Sequence, residues 1–231
     1  MRPRYAIYFA PAHGSPWWEF GARWLGRDER DDTSLVQPTL VQIAPDELRE
    51  ITAEPRRYGF HATLKAPFSL SGDQTVDDLT ARLQVMAATL TPVLLGPLHV
   101  TTLGDFVALV PALATDELMA LAAACVTGLD DLRAPLSEVD LARRRIEHLN
   151  AREQELLQAY GYPYVLERFR FHFTLSGPVE SRAGQRVQQA VAAPVAQLNE
   201  APPLVLDRLC LFVESAPGQP FKRIADAALS A

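Results

Sequence analysis

One five-residue phrase occurs twice in this chain of 231 residues, once as FHATL and once as FHFTL. A histidine precedes a threonine by two positions in both copies, at His61 and Thr63 in the first and at His172 and Thr174 in the second. Histidine can accept or donate a proton near neutral pH, and a threonine hydroxyl can donate a hydrogen bond to a phosphate oxygen. The repeated phrase therefore predicts a device for proton transfer at a phosphate group.

Cationic residues fall in phase with both histidines. Successive side chains of a strand point to opposite faces, so residues two apart share a face. By this spacing Arg57 and Lys65 share the face of the first histidine, and Arg168 and Arg170 share the face of the second. Each predicted strand thus buries an apolar face and presents a histidine, a threonine and at least one cation together. We expect Lys65, Arg170 and Arg57 to be candidates for contact with phosphate.

The order of elements around the two phrases also repeats. Each phrase is followed by a proline, Pro67 or Pro178, then by a segment with helical spacing, and then by an apolar hairpin. An internal repeat of this size predicts two similar lobes related by a pseudo-twofold axis, within one bilobed domain over residues 1–231. Such an axis would bring one histidine to each side of a phosphorus atom.

The rest of the chain has the pattern of mixed helices and strands. Residues 5–9 are short and apolar, which favours a strand, and Ser15 followed by Pro16 is typical of a helix start. Asn150 with Glu153 three residues later resembles a capping box. Further helices are predicted over residues 116–127, 138–149 and 151–160.

The composition excludes several classes of protein. The net charge of −6 and the pI of about 5.4 argue against a long nucleic acid as partner, because proteins that bind such polymers carry a basic surface. No apolar run approaches the roughly 20 residues of a membrane-spanning helix. Cys125 and Cys210 lie far apart in apolar patterns, which indicates buried thiols in a reducing compartment. The sequence has no Gly-rich phosphate loop, zinc-ligand spacing or dinucleotide fingerprint. We expect a cytoplasmic protein without metal, cofactor or membrane contact.

Longer phrases around the motifs resemble a known superfamily. The chain contains RYAIYFAP, RYGFHATLKAPF, LRAPLSEVDLARRR and YGYPYVLERFRFHFTLSGPV, which together span most of its length. With these phrases the sequence resembles the two-histidine phosphoesterase superfamily, which is defined by two His-x-Thr-type motifs. Within that superfamily it is most similar to a family of proteins encoded in phosphonate-utilisation operons.

The resemblance implies a fold, a site and an activity. The fold would be a duplicated, bilobed α+β fold, with two antiparallel sheets that face a central cleft and helices outside them. His61, Thr63, His172 and Thr174 would take the four catalytic positions. The predicted activity is hydrolysis of a small sugar or nucleoside cyclic phosphate without a metal, with one histidine as general base and the other as general acid. The resemblance also suggests a place in phosphonate metabolism, which passes through a ribose cyclic phosphate with a second phosphate.

The surroundings of the motifs suit a small phosphorylated substrate, because clustered cations can bind one or two phosphate groups. Tyr58 flanks the first motif and could stack on a base or sugar, although core packing is an equal alternative. Arg133, in the phrase LRAPL, is a further candidate for the cleft. Two alternatives stay open: a phosphodiesterase for the 2′,3′-cyclic phosphate of an RNA end, and a non-catalytic module that binds a nucleotide or sugar phosphate.

Overall fold

Helices and strands are interspersed along the chain in the computed structural model, which describes residues 2–137, 141 and 146–230. The strands are β1 (Arg4–Phe9), β2 (Ala62–Phe68), β3 (Val93–Leu94), β4 (Leu98–Leu103), β5 (Phe106–Pro111), β6 (Phe173–Thr174), β7 (Val205–Leu206), β8 (Arg208–Glu214) and β9 (Lys222–Ala228). The helices are α1 (Pro16–Leu25), α2 (Pro45–Ile51), α3 (Ala53–Arg56), α4 (Val76–Ala87), α5 (Asp116–Thr127), α6 (Ala151–Tyr160) and α7 (Ser181–Glu200). The prediction of an α+β chain is confirmed.

The two motif strands lie side by side at the centre of one antiparallel sheet. Seven strands form this sheet in the order β4-β5-β6-β2-β1-β8-β9, and β3 pairs with β7 in a separate two-stranded sheet. The resemblance to the two-histidine phosphoesterase superfamily implies two sheets that face each other across a cleft. In the described residues, both motifs instead belong to the same sheet, so their histidines are neighbours across a strand pair.

The predicted helix starts are confirmed by their caps. The hydroxyl of Ser15 accepts a hydrogen bond from the backbone N–H of Trp18 at 3.3 Å, and Gly26 ends α1 with φ of 75°. This left-handed conformation suits glycine, which has no Cβ to clash with the backbone. Asn150 and Glu153 form the predicted capping box at the start of α6. Satisfying the free N–H groups of the first turn fixes where each helix begins.

The second motif forms a shorter strand than alternation predicts over residues 168–176. Only Phe173–Thr174 is extended in the sheet, and Leu166–Arg168 forms a 3-10 turn. The ladder with β5 ends because the backbone N–H groups of Leu175 and Ser176 both donate to the carbonyl of Val107. The Ser176 hydroxyl then accepts the N–H of Val107 at 3.0 Å, so a side chain takes the place of the next ladder bond.

The two faces of the sheet bury different clusters, as strand β1 illustrates. Ile7 and Phe9 point into the large core. Ala6 and Tyr8 point to the opposite face and pack with a smaller cluster that includes Phe212. This alternation is that of a strand with both faces covered. The side that carries Tyr8 is also the side of the motif histidines.

Three other predictions can be compared with the described part of the chain. Cys125 and Cys210 are both buried and unpaired, as their apolar surroundings indicate. None of the described helices is long and apolar enough to cross a membrane. The helix predicted over residues 138–149 falls largely outside the described residues, and Ile146–His148 within it forms a short 3-10 turn.

Candidate active site

The four predicted catalytic side chains lie together on one face of two neighbouring strands. Ala62 of β2 is paired with Phe173 of the antiparallel strand β6. In an antiparallel pair this register sets His61 opposite Thr174 and Thr63 opposite His172. Side chains directly opposite each other have Cβ atoms about 5 Å apart, and diagonal ones about 7–8 Å apart. The two histidines are therefore diagonal neighbours, and each faces the threonine of the other motif.

Both imidazoles are oriented by the same backbone contact. Nδ1 of His61 lies 2.9 Å from the carbonyl oxygen of Gly59, and Nδ1 of His172 lies 2.8 Å from the carbonyl oxygen of Arg170. A carbonyl can only accept, so Nδ1 carries the hydrogen in each ring. In the neutral ring Nε2 is then an acceptor, and Nε2 of His61 can accept the hydroxyl proton of Thr63 at 3.3 Å. Each histidine thus turns its proton-accepting nitrogen away from the backbone.

The surroundings of His61 disfavour a charged ring. Its imidazole stacks on the ring of Tyr8, with centroids 3.8 Å apart. Burial, with a smaller contribution from the charge of His172, lowers the pKa of His61 to about 4, although the hydrogen bond to the Gly59 carbonyl opposes this shift. His61 is therefore uncharged at neutral pH and can act as a base.

His172 lies in a more open place at the edge of the same site. Its ring centroid is 5.6 Å from that of Phe106, which lines the cleft described below. Burial lowers the pKa of His172, and the charge of Arg170 lowers it too, while the hydrogen bond to the Arg170 carbonyl opposes both effects. Both imidazoles are consequently neutral near pH 7 when no anion is bound.

A cleft of about 570 Å³ opens over the motif strands. His61, Thr63 and Thr174 line it, as do the two prolines that follow the motifs, Pro67 and Pro178. Its other walls include Glu54, Pro55 and Tyr58, together with residues 105–106 and 162–164. Tyr58, predicted to flank the substrate, is among these wall residues. A volume of this size accepts a small phosphorylated molecule.

Lys65 does not reach the cleft, which corrects the prediction that it contacts phosphate. Its side chain is 3% exposed, and Nζ donates to the carbonyl of Val126 at 2.8 Å and to Asp130 at 2.9 Å. The pairing of β1 with β2 shifts register on both sides of Ile7, whose partner is Lys65. This irregularity breaks the simple alternation, so Ala66 rather than Lys65 lines the cleft.

Arg57 and Arg133 are also held away from the main cleft by other contacts. Arg57 donates to the carbonyl of Gln219 and forms an ion pair with Glu214. Arg133 makes two hydrogen bonds to Asp130, at 2.9 and 3.0 Å, and lines only a small neighbouring cavity of about 30 Å³. Neither arginine lines the main cleft, and their contact with a substrate stays a prediction. Arg170 is exposed beside His172 and does not line the cleft.

Comparison with known proteins assigns the chain to a family. The family described as "Protein of unknown function (DUF1045)" matches residues 63–222. The chain belongs to this family. It is 41% identical over 221 residues to a protein of Janthinobacterium sp. (strain Marseille) and 35% identical over 226 residues to one of Laribacter hongkongensis (strain HLHK9). Both are named ribose 1,5-bisphosphate phosphokinase PhnN. The matches cover 94% and 95% of this chain but 49% and 50% of the relatives, so the chain spans about half the length of the curated relatives it matches.

These relatives correct the predicted activity of this DUF1045 chain. They are named as kinases, which transfer a phosphoryl group, whereas the sequence predicts hydrolysis of a cyclic phosphodiester. The hydrolase prediction is therefore wrong, and with it the alternative of an RNA-terminal phosphodiesterase. The family match and the relatives do support the assignment to the family from phosphonate-utilisation operons. The wider two-histidine phosphoesterase superfamily stays a prediction.

Two residues that line the cleft of this DUF1045 chain are missing from the sequence prediction. Arg4 and Tyr8 lie on the same face of β1, and Tyr8 is paired with Thr63 across the strands. In RYAIYF the two residues are four positions apart, which places them on one face of a strand. This spacing indicates a place in the site only once β1 is known to pair with β2. Within the described residues, no group of three His, Cys, Asp or Glu side chains is placed to hold a metal ion.

Proposed function

We propose that this chain takes part in phosphoryl transfer to a small phosphorylated sugar of the ribose bisphosphate class, bound in the cleft beside His61 and His172. The observation that carries the proposal is the pair of His-x-Thr units on adjacent strands, each with Nε2 available to accept a proton. The name of the two relatives supports both the reaction class and the sugar. A role in phosphonate metabolism is part of the proposal and rests on the family resemblance.

The two histidines would handle protons while the phosphoryl group moves. An oxygen of the sugar phosphate attacks the terminal phosphorus of a nucleoside triphosphate, a new O–P bond forms, and the bond to the bridging oxygen breaks to release the diphosphate. Where the attacking oxygen carries a proton, the neutral Nε2 of one histidine accepts it. Bound phosphate favours the charged form of the other imidazole, which then donates to the leaving oxygen. Thr63 and Thr174 would donate hydrogen bonds to phosphoryl oxygens.

The finer fold prediction, a duplicated bilobed domain, is proposed on the order of the elements. The strands β1, β2, β3 and β4 follow one another as β5, β6, β7 and β8 do, with α4 after β2 and α7 after β6. In the seven-stranded sheet, the equivalent strands of the two halves lie at equal distances from the boundary between β6 and β2: β2 corresponds to β6, β1 to β5 and β8 to β4. In the small sheet, β3 pairs with its counterpart β7. A pseudo-twofold axis between β2 and β6 would then relate the two His-x-Thr units, as the superfamily resemblance implies.

A second candidate function is that of a binding module: this chain would bind the sugar phosphate, and the phosphoryl transfer would be catalysed by residues outside it. It is favoured by the span of the chain, about half of each relative, and by the lack of a Gly-rich phosphate loop in its sequence. In this version the cleft holds the acceptor, and residues outside the matched half bind the phosphoryl donor.

One experiment separates the two candidates. The purified chain is incubated with ribose 1,5-bisphosphate, ATP and Mg²⁺, products are followed by phosphorus NMR, and binding of the sugar alone is measured by calorimetry. Transfer that is lost in His61→Asn and His172→Asn but kept in His99→Gln supports the first proposal; His99 is an exposed histidine on strand β4. Binding without transfer supports the second candidate, and neither binding nor transfer overturns both.

A further inference from the structure

Arg4 differs from Arg57, Arg133 and Arg170 because it lines the cleft. Its Nε donates to Glu214 at 2.5 Å, and Glu214 is 1% exposed. The two terminal nitrogens of the guanidinium carry four further N–H groups that can donate hydrogen bonds. Glu214 also pairs with Arg57 and accepts the N–H of Gly218 at 2.9 Å, so the carboxylate is fixed from three directions. The cation is thus held in one orientation at the cleft wall.

Two tyrosines accompany Arg4 along that wall. Tyr8 and Tyr58 both line the cleft, and the charge of Arg4 interacts with both. Burial, followed by the effect of Tyr58, raises the pKa of Tyr8 well above its ordinary value. The hydroxyl of Tyr8 therefore keeps its proton and can donate a hydrogen bond to an anion.

Tyr8 joins this group to the catalytic centre. Its ring stacks on His61 at 3.8 Å, and its backbone is opposite Thr63 in the sheet. A phosphate beside His61 and Thr63 lies on one side of Tyr8, while an anion on Arg4 lies further along β1 toward residue 4. The strand rises about 3.4 Å per residue, so the two positions are separate rather than one shared site.

We propose that Arg4, Tyr8 and Tyr58 form a second phosphate subsite, which binds the phosphate group of the substrate that does not react. This inference rests on the proposed function for the identity of the substrate as a doubly phosphorylated pentose. It assigns the selection of a bisphosphate over a monophosphate to Arg4, since a guanidinium can bind a phosphate through two parallel hydrogen bonds.

The subsite is tested by binding alone, with Arg57 as the matched control. Arg4 and Arg57 pair with the same buried carboxylate, but only Arg4 lines the cleft. Calorimetry measures Kd for ribose 1,5-bisphosphate and ribose 5-phosphate with the wild type, Arg4→Gln, Arg57→Gln and Arg4→Lys. Circular dichroism and thermal melts report folding. If Arg4→Gln does not fold, Arg4→Lys is used in its place, because lysine keeps the positive charge but lacks the parallel N–H groups of a guanidinium.

We expect Arg4→Gln to weaken binding of the bisphosphate at least about tenfold, in line with the loss of a charge-assisted hydrogen bond. Its Kd should approach that of the monophosphate, Arg57→Gln should stay within about twofold of the wild type, and Arg4→Lys should lose affinity partially. Equal losses in Arg4→Gln and Arg57→Gln, or an unchanged Kd in Arg4→Gln or in a folded Arg4→Lys, would overturn the subsite.

The outcome is independent of turnover. Suppose that the chain transfers no phosphoryl group, and that Arg4→Gln weakens binding of the bisphosphate while Arg57→Gln does not. The subsite then stands and the proposed reaction fails. If it transfers phosphoryl groups with no dependence on Arg4, the subsite fails and the proposed reaction stands.

Discussion

The two His-x-Thr motifs place the same side chains on different backbones. His61 belongs to the residues that lead into the seven-residue strand β2, is stacked under Tyr8, and takes its Nδ1 contact from Gly59, whose φ is 77°. His172 precedes a two-residue strand, lies beside Phe106, and takes the equivalent contact from the exposed residue Arg170. Both rings reach the same tautomer by the same backbone contact.

The difference shows that sequence identity of a motif does not make its two copies chemically equal. Burial dominates the pKa of both histidines, but it lowers that of His61 to about 4, and His61 alone is stacked on a buried tyrosine. The low pKa keeps the ring of His61 neutral before substrate binds, although a general base is most effective when its pKa lies near the working pH. His172 lies next to the exposed residue Arg170, whereas His61 lines the cleft itself.

The largest expected effect tests whether both copies are needed. His61→Asn and His172→Asn should each lower kcat of phosphoryl transfer at least about 100-fold, because each removes a proton-transfer group. Steady-state kinetics measures this, and His99→Gln is the control. The double variant should be little slower than either single one, since residues that act as a unit are not additive. A single variant with near wild-type kcat would remove that histidine from the mechanism.

The next effect separates the two rings by their pKa values. Proton NMR of the imidazoles should give His61 a pKa of about 4 and His172 a value below 6.5, because burial disfavours the charged form. In His172→Asn the pKa of His61 should rise, because a positive neighbour is lost, yet stay below 6.5 since burial remains. Equal, unshifted titration of both rings would contradict the difference in environment.

The same depressed pKa has a consequence for stability. In the unfolded chain His61 binds a proton near pH 6.5, but in the folded chain only near pH 4, so unfolding takes up protons between these values. The free energy of unfolding should therefore fall as the pH drops from about 6.5 to about 4. Urea unfolding at several pH values measures this, and His61→Asn should show a smaller fall.

A smaller effect tests the two residues whose carbonyls contact the histidine rings, Gly59 and Arg170. A Cβ on Gly59 would lie 2.6 Å from Cβ of Glu29, and its positive φ is unfavourable for alanine. Gly59→Ala should lower the free energy of unfolding by about 1–2 kcal/mol or more. Arg170→Ala, at the equivalent position of the second motif, should change it by less than about 0.5 kcal/mol. Chemical unfolding measures both changes, and equal losses of unfolding free energy in the two variants would contradict a difference between Gly59 and Arg170.

The smallest expected effect concerns Lys65, which shares the spacing of His61 but not its surroundings. Lys65→Met should leave Kd for ribose 1,5-bisphosphate within about twofold, because Nζ contacts Asp130 and Val126 instead of the cleft. The free energy of unfolding should fall by about 1.5–3 kcal/mol, the range for hydrogen bonds to charged groups. A tenfold loss of affinity without unfolding would return Lys65 to the binding site.

Local pattern was enough to predict much of this molecule. The helix starts at Ser15 and Asn150, the α+β class and the four side chains of the duplicated phrase all follow from short-range spacing, because caps and strand alternation depend on residues a few positions apart. Lys65 is where alternation failed, since a register shift in the pairing with β1 turns its side chain away. The kinase name of the relatives, which overturned the hydrolase prediction, depends on comparison rather than on pattern.

The sequence by itself determined the four candidate residues for proton transfer and phosphate contact at this site, since His61, Thr63, His172 and Thr174 are set by one repeated phrase. Only the tertiary structure decided which cations accompany them. Lys65 and Arg133 pair with Asp130 and do not line the cleft. Arg4 and Arg57 share Glu214, but only Arg4, which is far from the motifs in the sequence, lines the cleft. The physical reason is that a long cationic side chain goes to the carboxylate or carbonyl that the fold brings near it, and that partner is chosen by strand order and register rather than by local spacing.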